Sequence, residues 1–153
     1  MQPTFTLAYS LARQPQDIIV DLIEQLGRPV QASLAFAYST DANAPHLKAI
    51  IEALRRHTGI AHWVGSVGLG ICCSEHEFYE QPAIAVMVTD FREDQFQVFT
   101  DPQDLLTSTP QEGLRFTVVH GEPRNGQLPQ LIEQLPQQMG NGYLVGGLTS
   151  ASQ

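Results

Sequence analysis

AHWVGSVGLGICCSEHEFYEQPAIAVMVTD, residues 61–90, decides the fold. A glycine-studded apolar segment passes through a polar loop into a second, almost uninterrupted apolar segment, which is the pattern of a buried antiparallel hairpin. Gly65, Gly68 and Gly70 interrupt a run that otherwise favours extended structure. Glycine inside a strand marks a bulge or another group close to the backbone. The segment therefore suits binding better than catalysis.

Upstream, FTLAY at residues 5–9 alternates at period two and predicts a short strand. Ile18, Ile19, Leu22, Ile23 and Leu26 then recur on one helical face, with Asp17, Asp21, Glu24 and Gln25 opposite, until Gly27 and Pro29 end the helix. VQASLAFAY, residues 30–38, reads as a strand of small apolar residues that lets neighbouring layers approach. A strand of that kind belongs in a sheet covered on both faces. Ser39 to Pro45 is a strand-to-helix loop in which Asp41 or Asn43 can cap a helix whose first turn accepts Pro45. The helix carries Leu47, Ile50, Ile51 and Leu54 at i, i+3, i+4 and i+7, and Gly59 follows it.

Downstream of the hairpin, Phe96 to Phe99 offers a short strand, and Thr100 or Asp101, Pro102 and Asp104 start a brief helix. RFTVVH at 115–120 is a strand, and Asn125-Gly126 is a turn. Leu128, Leu131, Ile132 and Leu135 form a helical stripe interrupted near its end by Pro136, and YLVGGL at 143–148 is a last strand. No internal repeat is evident. The order of elements predicts an α/β fold, a mixed β-sheet with helices packed on its faces and an antiparallel hairpin near residues 61–90.

The 153 residues suffice for a single domain that buries roughly 70% of its unfolded surface. No apolar run approaches the roughly 18 residues that span a bilayer, and the start MQPT lacks the basic and apolar parts of a secretory signal. These features predict a cytoplasmic protein with no membrane partner. With a formal charge of −8 and only eight Lys and Arg, the chain has no field to hold a polyanion, so nucleic acid is excluded as a partner.

Ser39, Thr40 and Asp41 sit at the carboxyl end of a strand and just before a helix, where open α/β sheets bind ligands. The same residues also serve plain helix capping. Gly65, Ser66, Gly68 and Gly70 offer backbone to a small ligand or mark strand kinks. Their order, G-x-x-G-x-G, is not the dinucleotide fingerprint and contains no phosphate-loop Lys, so no nucleotide cofactor is expected. Cys72 and Cys73 are adjacent, which opposes a disulfide between them and hinders both sulfurs from reaching one metal ion. Neither has a histidine at a spacing that fixes a catalytic pair, so free buried thiols, no metal and no catalytic constellation are expected.

LAFAYSTDANAP, HWVGSVGLGICCSEHEFYEQPAIAVMV and YLVGGLTSAS, in that order, resemble the N-terminal domain of the FIST (F-box and intracellular signal transduction) family and span most of residues 30–150. The resemblance implies a sensory, ligand-binding module for small molecules such as amino acids, accompanied by a FIST C-terminal domain. It also implies that the chain is a fragment lacking the downstream part of its own domain. An exposed sheet edge or apolar patch would follow, and with it a possible homo-oligomer. The expected ligand set is Ser39, Thr40, Asp41, Gly65, Ser66, Gly68 and Gly70, with Asp41 pairing to an amine. Two alternatives stand beside it: a thiol-dependent enzyme using Cys72 or Cys73, and a structural domain that contacts its absent partner.

Overall fold

β-branched and small apolar residues build a four-stranded sheet from Phe5–Ser10 (β1), Leu34–Thr40 (β2), His62–Gly68 (β3) and a later strand, Ile84–Thr89. The computed structural model describes residues 3–27, 32–107, 116–139 and 142–150. Pro15–Leu26 (α1) joins β1 to β2, and Leu47–Thr58 (α2), preceded by a 3-10 turn at Asp41–His46, joins β2 to β3. Gly70–Cys73 (β4) and His76–Tyr79 (β5) follow, then Ile84–Thr89 (β6), Pro102–Thr107 (α3), Phe116–Gly121 (β7), Leu128–Gln138 (α4) and Tyr143–Leu148 (β8).

The sheet order is β1-β6-β2-β3, with β2 parallel to β3 and β6 antiparallel to both β1 and β2. The antiparallel hairpin within residues 61–90 is the short β4–β5 pair. The two long apolar segments flanking it, β3 and β6, do not pair with each other, because β2 lies between them. A strand that reaches its neighbour through a helix runs parallel to it, and α2 makes that crossover from β2 to β3.

Side chains alternate across the sheet, and so sort into two clusters. Ala8, Ala35, Ala37, Val86 and Val88 meet Ile18 and Leu22 of α1 and Ile50 and Leu54 of α2. The alanines explain how both helices come close to one face. On the other face Tyr9, Tyr38 and Ala85 meet Ile71, Cys73 and Phe78 of the hairpin. Pro15 occupies the first turn of α1, and Gly27 closes that helix by donating its N–H to the Ile23 carbonyl. Gly59 closes α2 in the left-handed conformation, φ 74, with its N–H on the Arg55 carbonyl.

Two local expectations change. Asn43 and Asp41 do not cap α2, whose start carries no side-chain cap; Asn43 is instead buried, and its amide nitrogen has no hydrogen-bond partner among the described residues. Residues 96–99 form no strand. Phe96 packs edge-on against His62, ring centroids 5.3 Å apart, and that contact takes the place of sheet pairing.

The chain divides into two compact units, Met1–Gln97 with Ser150–Gln153, and Val98–Thr149. Each contains a β-α-β segment, and the two agree in register. In the first, Leu34 pairs with His62 and Ala37 with Gly65; in the second, Phe116 pairs with Tyr143 and Val119 with Gly146. The fourth pair of each thus places a glycine opposite the partner strand. A Cβ on Gly65 would stand 1.7 Å from the Ala37 carbonyl oxygen, and one on Gly146 would stand 2.0 Å from that of Val119. The crossover helices repeat the same stripe, Leu47, Ile50, Ile51 and Leu54 against Leu128, Leu131, Ile132 and Leu135. The chain therefore carries the same β-α-β segment twice, from Leu34 to Gly68 and from Phe116 to Leu148, although few residues are identical between the copies.

Candidate functional site

Parallel pairing brings the carboxyl ends of β2 and β3 to one end of the sheet, with Thr40 opposite Gly68. The polar turn between β5 and β6 returns to the same end, because β6 enters the sheet there with Ile84 opposite Ser39. Between these parts lies a cleft of about 250 Å³. One wall is Thr40, Asp41 and Ala42; the other is Tyr79, Glu80 and Gln81, and Leu69 completes the lining. That volume is below the usual range for drug-sized ligands and fits a smaller molecule.

Thr40 holds the two walls together. Its hydroxyl accepts the Ala83 N–H at 2.9 Å and has the Gln81 and Ala83 carbonyls within reach as acceptors, at 2.9 and 3.3 Å. Its own N–H donates to the Ala83 carbonyl at 2.9 Å. A buried hydroxyl used in this way orients the turn, and its single proton is committed to main-chain carbonyls. Glu80, at the turn's tip, has a left-handed backbone, φ 54.

The expected site residues separate along the strands. Thr40 and Asp41 line the cleft. Ser39 is fully buried and donates its hydroxyl to the Thr40 carbonyl at 3.0 Å. Gly68 and Gly70 flank Leu69, whose N–H donates to the Ser150 hydroxyl at 3.0 Å. A Cβ on Gly70 would come 3.0 Å from the Tyr79 ring, so this glycine lets the cleft wall sit close. Gly65 and Ser66 lie further back in β3, opposite Ala37 and Tyr38 and outside the lining. At strand rise, Gly65 is about 10 Å from Gly68. Ala42, Leu69, Tyr79, Glu80 and Gln81 were not singled out by sequence reasoning. The polar Glu80-Gln81 step just before the apolar strand β6 was the one available signal for the far wall.

The cysteines are free, with Cys72 exposed and Cys73 buried. The exposure of Cys72 corrects the expectation of two buried thiols, since alternation in β4 sends one side chain to each face. Burial pushes the Cys73 thiol above its ordinary pKa, which disfavours the nucleophilic thiolate. His76, opposite Cys73 in register, packs its ring against Tyr9 and Phe78 at centroid distances of 5.2 and 5.9 Å. Iodoacetamide should therefore add once to the folded chain, slowly and at Cys72, and a second time only in denaturant; intact mass counts the adducts. Rapid native alkylation that depends on a histidine would favour the thiol-enzyme alternative.

Half burial also lowers the pKa of His120 on β7 and raises that of Tyr38 on β2, in each case favouring the neutral form. Among the described residues no three His, Cys, Asp or Glu side chains gather in a way that could hold a metal ion. No helix among them is long and apolar enough to cross a membrane.

The strand order and the helices on the sheet define a mixed α/β domain with a cleft at the strand ends. The FIST N domain matches residues 33–153, and the chain belongs to that family. FIST domains are in general sensory domains of signal transduction and not typically catalytic. Neither the curated proteins nor the solved structures give a match to this chain.

Proposed function

We propose that this chain is a cytoplasmic sensory domain that binds a small polar ligand in the cleft at the ends of β2 and β3, working beside a FIST C-terminal domain. The observation that carries the reading is the cleft itself, assembled from Thr40–Ala42 and Tyr79–Gln81 and held by the Thr40 hydroxyl. Asp41 supplies charge for an amine on the ligand, and the glycines on either side of Leu69 keep the wall close to the backbone. Occupancy would act on the 79–83 turn, which Thr40 links directly to the sheet.

A thermal-shift screen across amino acids, amines, small carboxylates and neutral polyols tests the reading. A true ligand at a hundred times its dissociation constant adds about 2.7 kcal/mol of stability, rising with concentration. Asp41→Ala should weaken an amine-bearing ligand far more than its uncharged analogue. Silence across all four classes would remove the ligand-binding reading.

A second reading, an interaction domain, is favoured by the exposure of large apolar side chains on β7 and β8: Phe116 53%, Tyr143 75% and Leu148 59%. Surfaces of this kind mark contact sites for other chains. Sedimentation should then show concentration-dependent association, and a monomer at every concentration would count against it.

A further inference from the structure

Strand β1, FTLAYS, is an outer strand of the four-stranded sheet: β6 pairs with one side of it, and among the described residues no strand pairs with the other. Such edges are normally guarded by charged side chains, a proline or a bulge. β1 contains no charged residue and no proline, its pairing with β6 runs unbroken from Phe5 with Thr89 to Ser10 with Ile84, and Phe5 and Leu7 are 53% and 37% exposed. One side chain stands where the next strand would be. The Gln25 carboxamide of α1 accepts the Tyr9 N–H at 3.0 Å and donates to the Tyr9 carbonyl at 2.7 Å. Those are the two bonds that a residue directly opposite on an antiparallel neighbour would exchange with Tyr9. The carboxamide nitrogen also donates to the Asp21 carbonyl at 3.0 Å, which fixes the orientation of the amide. The Asp21 carboxylate in turn accepts the Ser10 hydroxyl at 2.5 Å and holds α1 against the end of β1. We propose that Gln25 is a stop that imitates a strand and keeps a second copy of this chain from adding its own β1 to the sheet.

Main-chain groups alternate sides along a strand, so the N–H and C=O groups of Phe5 and Leu7 point to the same edge as those of Tyr9. About Leu7 the strand is complementary to itself in the antiparallel sense. A second β1 centred there sets Leu7 against Leu7 of the other copy, and Phe5 against Tyr9 on either side of that centre, with all of these side chains on one face. Aromatic cross-strand pairs stabilise such a contact, and no like charges oppose it. The arrangement is two-fold symmetric and closes as a dimer. Because of that symmetry, one glutamine per chain blocks both outer pairs: the Tyr9 main chain of each copy is already occupied, so the Phe5 main chain of the other has nothing to bond. Only the central Leu7 pair is left, too little to hold two strands together.

Gln25→Ala tests the proposal in the 153-residue chain. Gln25 is exposed, and alanine suits a helix and adds no apolar surface. In dilute solution, hydrogen exchange at the Tyr9 amide should become several-fold faster than in the parent chain, while far-UV dichroism stays that of the folded protein. Across a concentration series, sedimentation should show self-association strengthened on the order of tenfold, since the freed main-chain groups find partners in a second chain. A second change separates this edge from every other surface. Leu7→Lys sets two ammonium groups opposite each other at the centre of the paired strands, where like charges destabilise the pairing. Gln25→Ala combined with Leu7→Lys should therefore return to the association of the parent chain. A Tyr9 amide that exchanges no faster in Gln25→Ala would overturn the proposal, because Gln25 would not be holding the edge. Association that Gln25→Ala leaves unchanged, or that persists with Leu7→Lys, would overturn it as well, because the strand edge would not be what Gln25 closes.

Discussion

Gly65→Ala should destabilise the four-stranded sheet by more than about 3 kcal/mol, a large share of the roughly 5–15 kcal/mol that holds a domain folded. The added Cβ would lie 1.7 Å from the Ala37 oxygen, 2.7 Å from its carbonyl carbon and 3.0 Å from its nitrogen. All three are main-chain atoms, so no rotamer change relieves the clash. β2 cannot move away as a unit, because its other edge is paired with β6 along six residues, from Leu34 with Thr89 to Ser39 with Ile84. Either β3 leaves the sheet or β2 loses β6. Urea denaturation followed by far-UV dichroism measures the change in midpoint. A loss below about 1 kcal/mol, the ordinary size for a point substitution, would mean that the strands do not approach in this way.

That close approach also separates what the sequence discloses from what it hides. The glycines of 61–90 announced that something comes near the backbone, and at Gly65 the neighbour is the adjacent strand. Only around Leu69 do the glycines border the cleft. Helices α1 and α2 were legible because their apolar stripes and closing glycines, Gly27 and Gly59, are local signals. Strand order was not legible, since β6 inserts between β1 and β2, its partners in β1 lying about 80 residues upstream in the chain, and periodicity contains no information about which strand is neighbour to which.

The site divides along the same line. Thr40 and Asp41 could be found from the rule that ligands gather where a strand ends and a helix begins. The opposite wall, Tyr79 to Gln81, is some forty residues later and is joined to the first through one side-chain hydroxyl, a link with no sequence signature. The repeat was hidden for a related reason. Helix α2 reads LKAIIEALRRHT and α4 reads LPQLIEQLPQQ; each stripe is legible alone, but nothing local marks the two as equivalent until the strand registers align Gly65 with Gly146.

The repeat makes its own demand on the second unit. Gly146 and Gly147 are neighbours in one strand and both are exposed, yet an added methyl group should be costly at the first and tolerated at the second. At Gly146 a Cβ would lie 2.0 Å from the Val119 oxygen and 2.8 Å from its carbonyl carbon and nitrogen, and the backbone there has φ 139, which L-residues rarely adopt. At Gly147 a Cβ meets nothing within 4 Å. The unit has little reserve to absorb the strain: its buried apolar side chains include Leu128, Leu135 and Met139, while Phe116 and Tyr143 are more than half exposed. A two-stranded pair depends on such packing for its stability. Gly146→Ala should therefore abolish amide exchange protection across β7 and β8, whereas Gly147→Ala should change stability by less than about 1 kcal/mol. Equal effects at the two positions would show that the glycine opposite Val119 does not do the work of the glycine opposite Ala37, and the register match would then be coincidence.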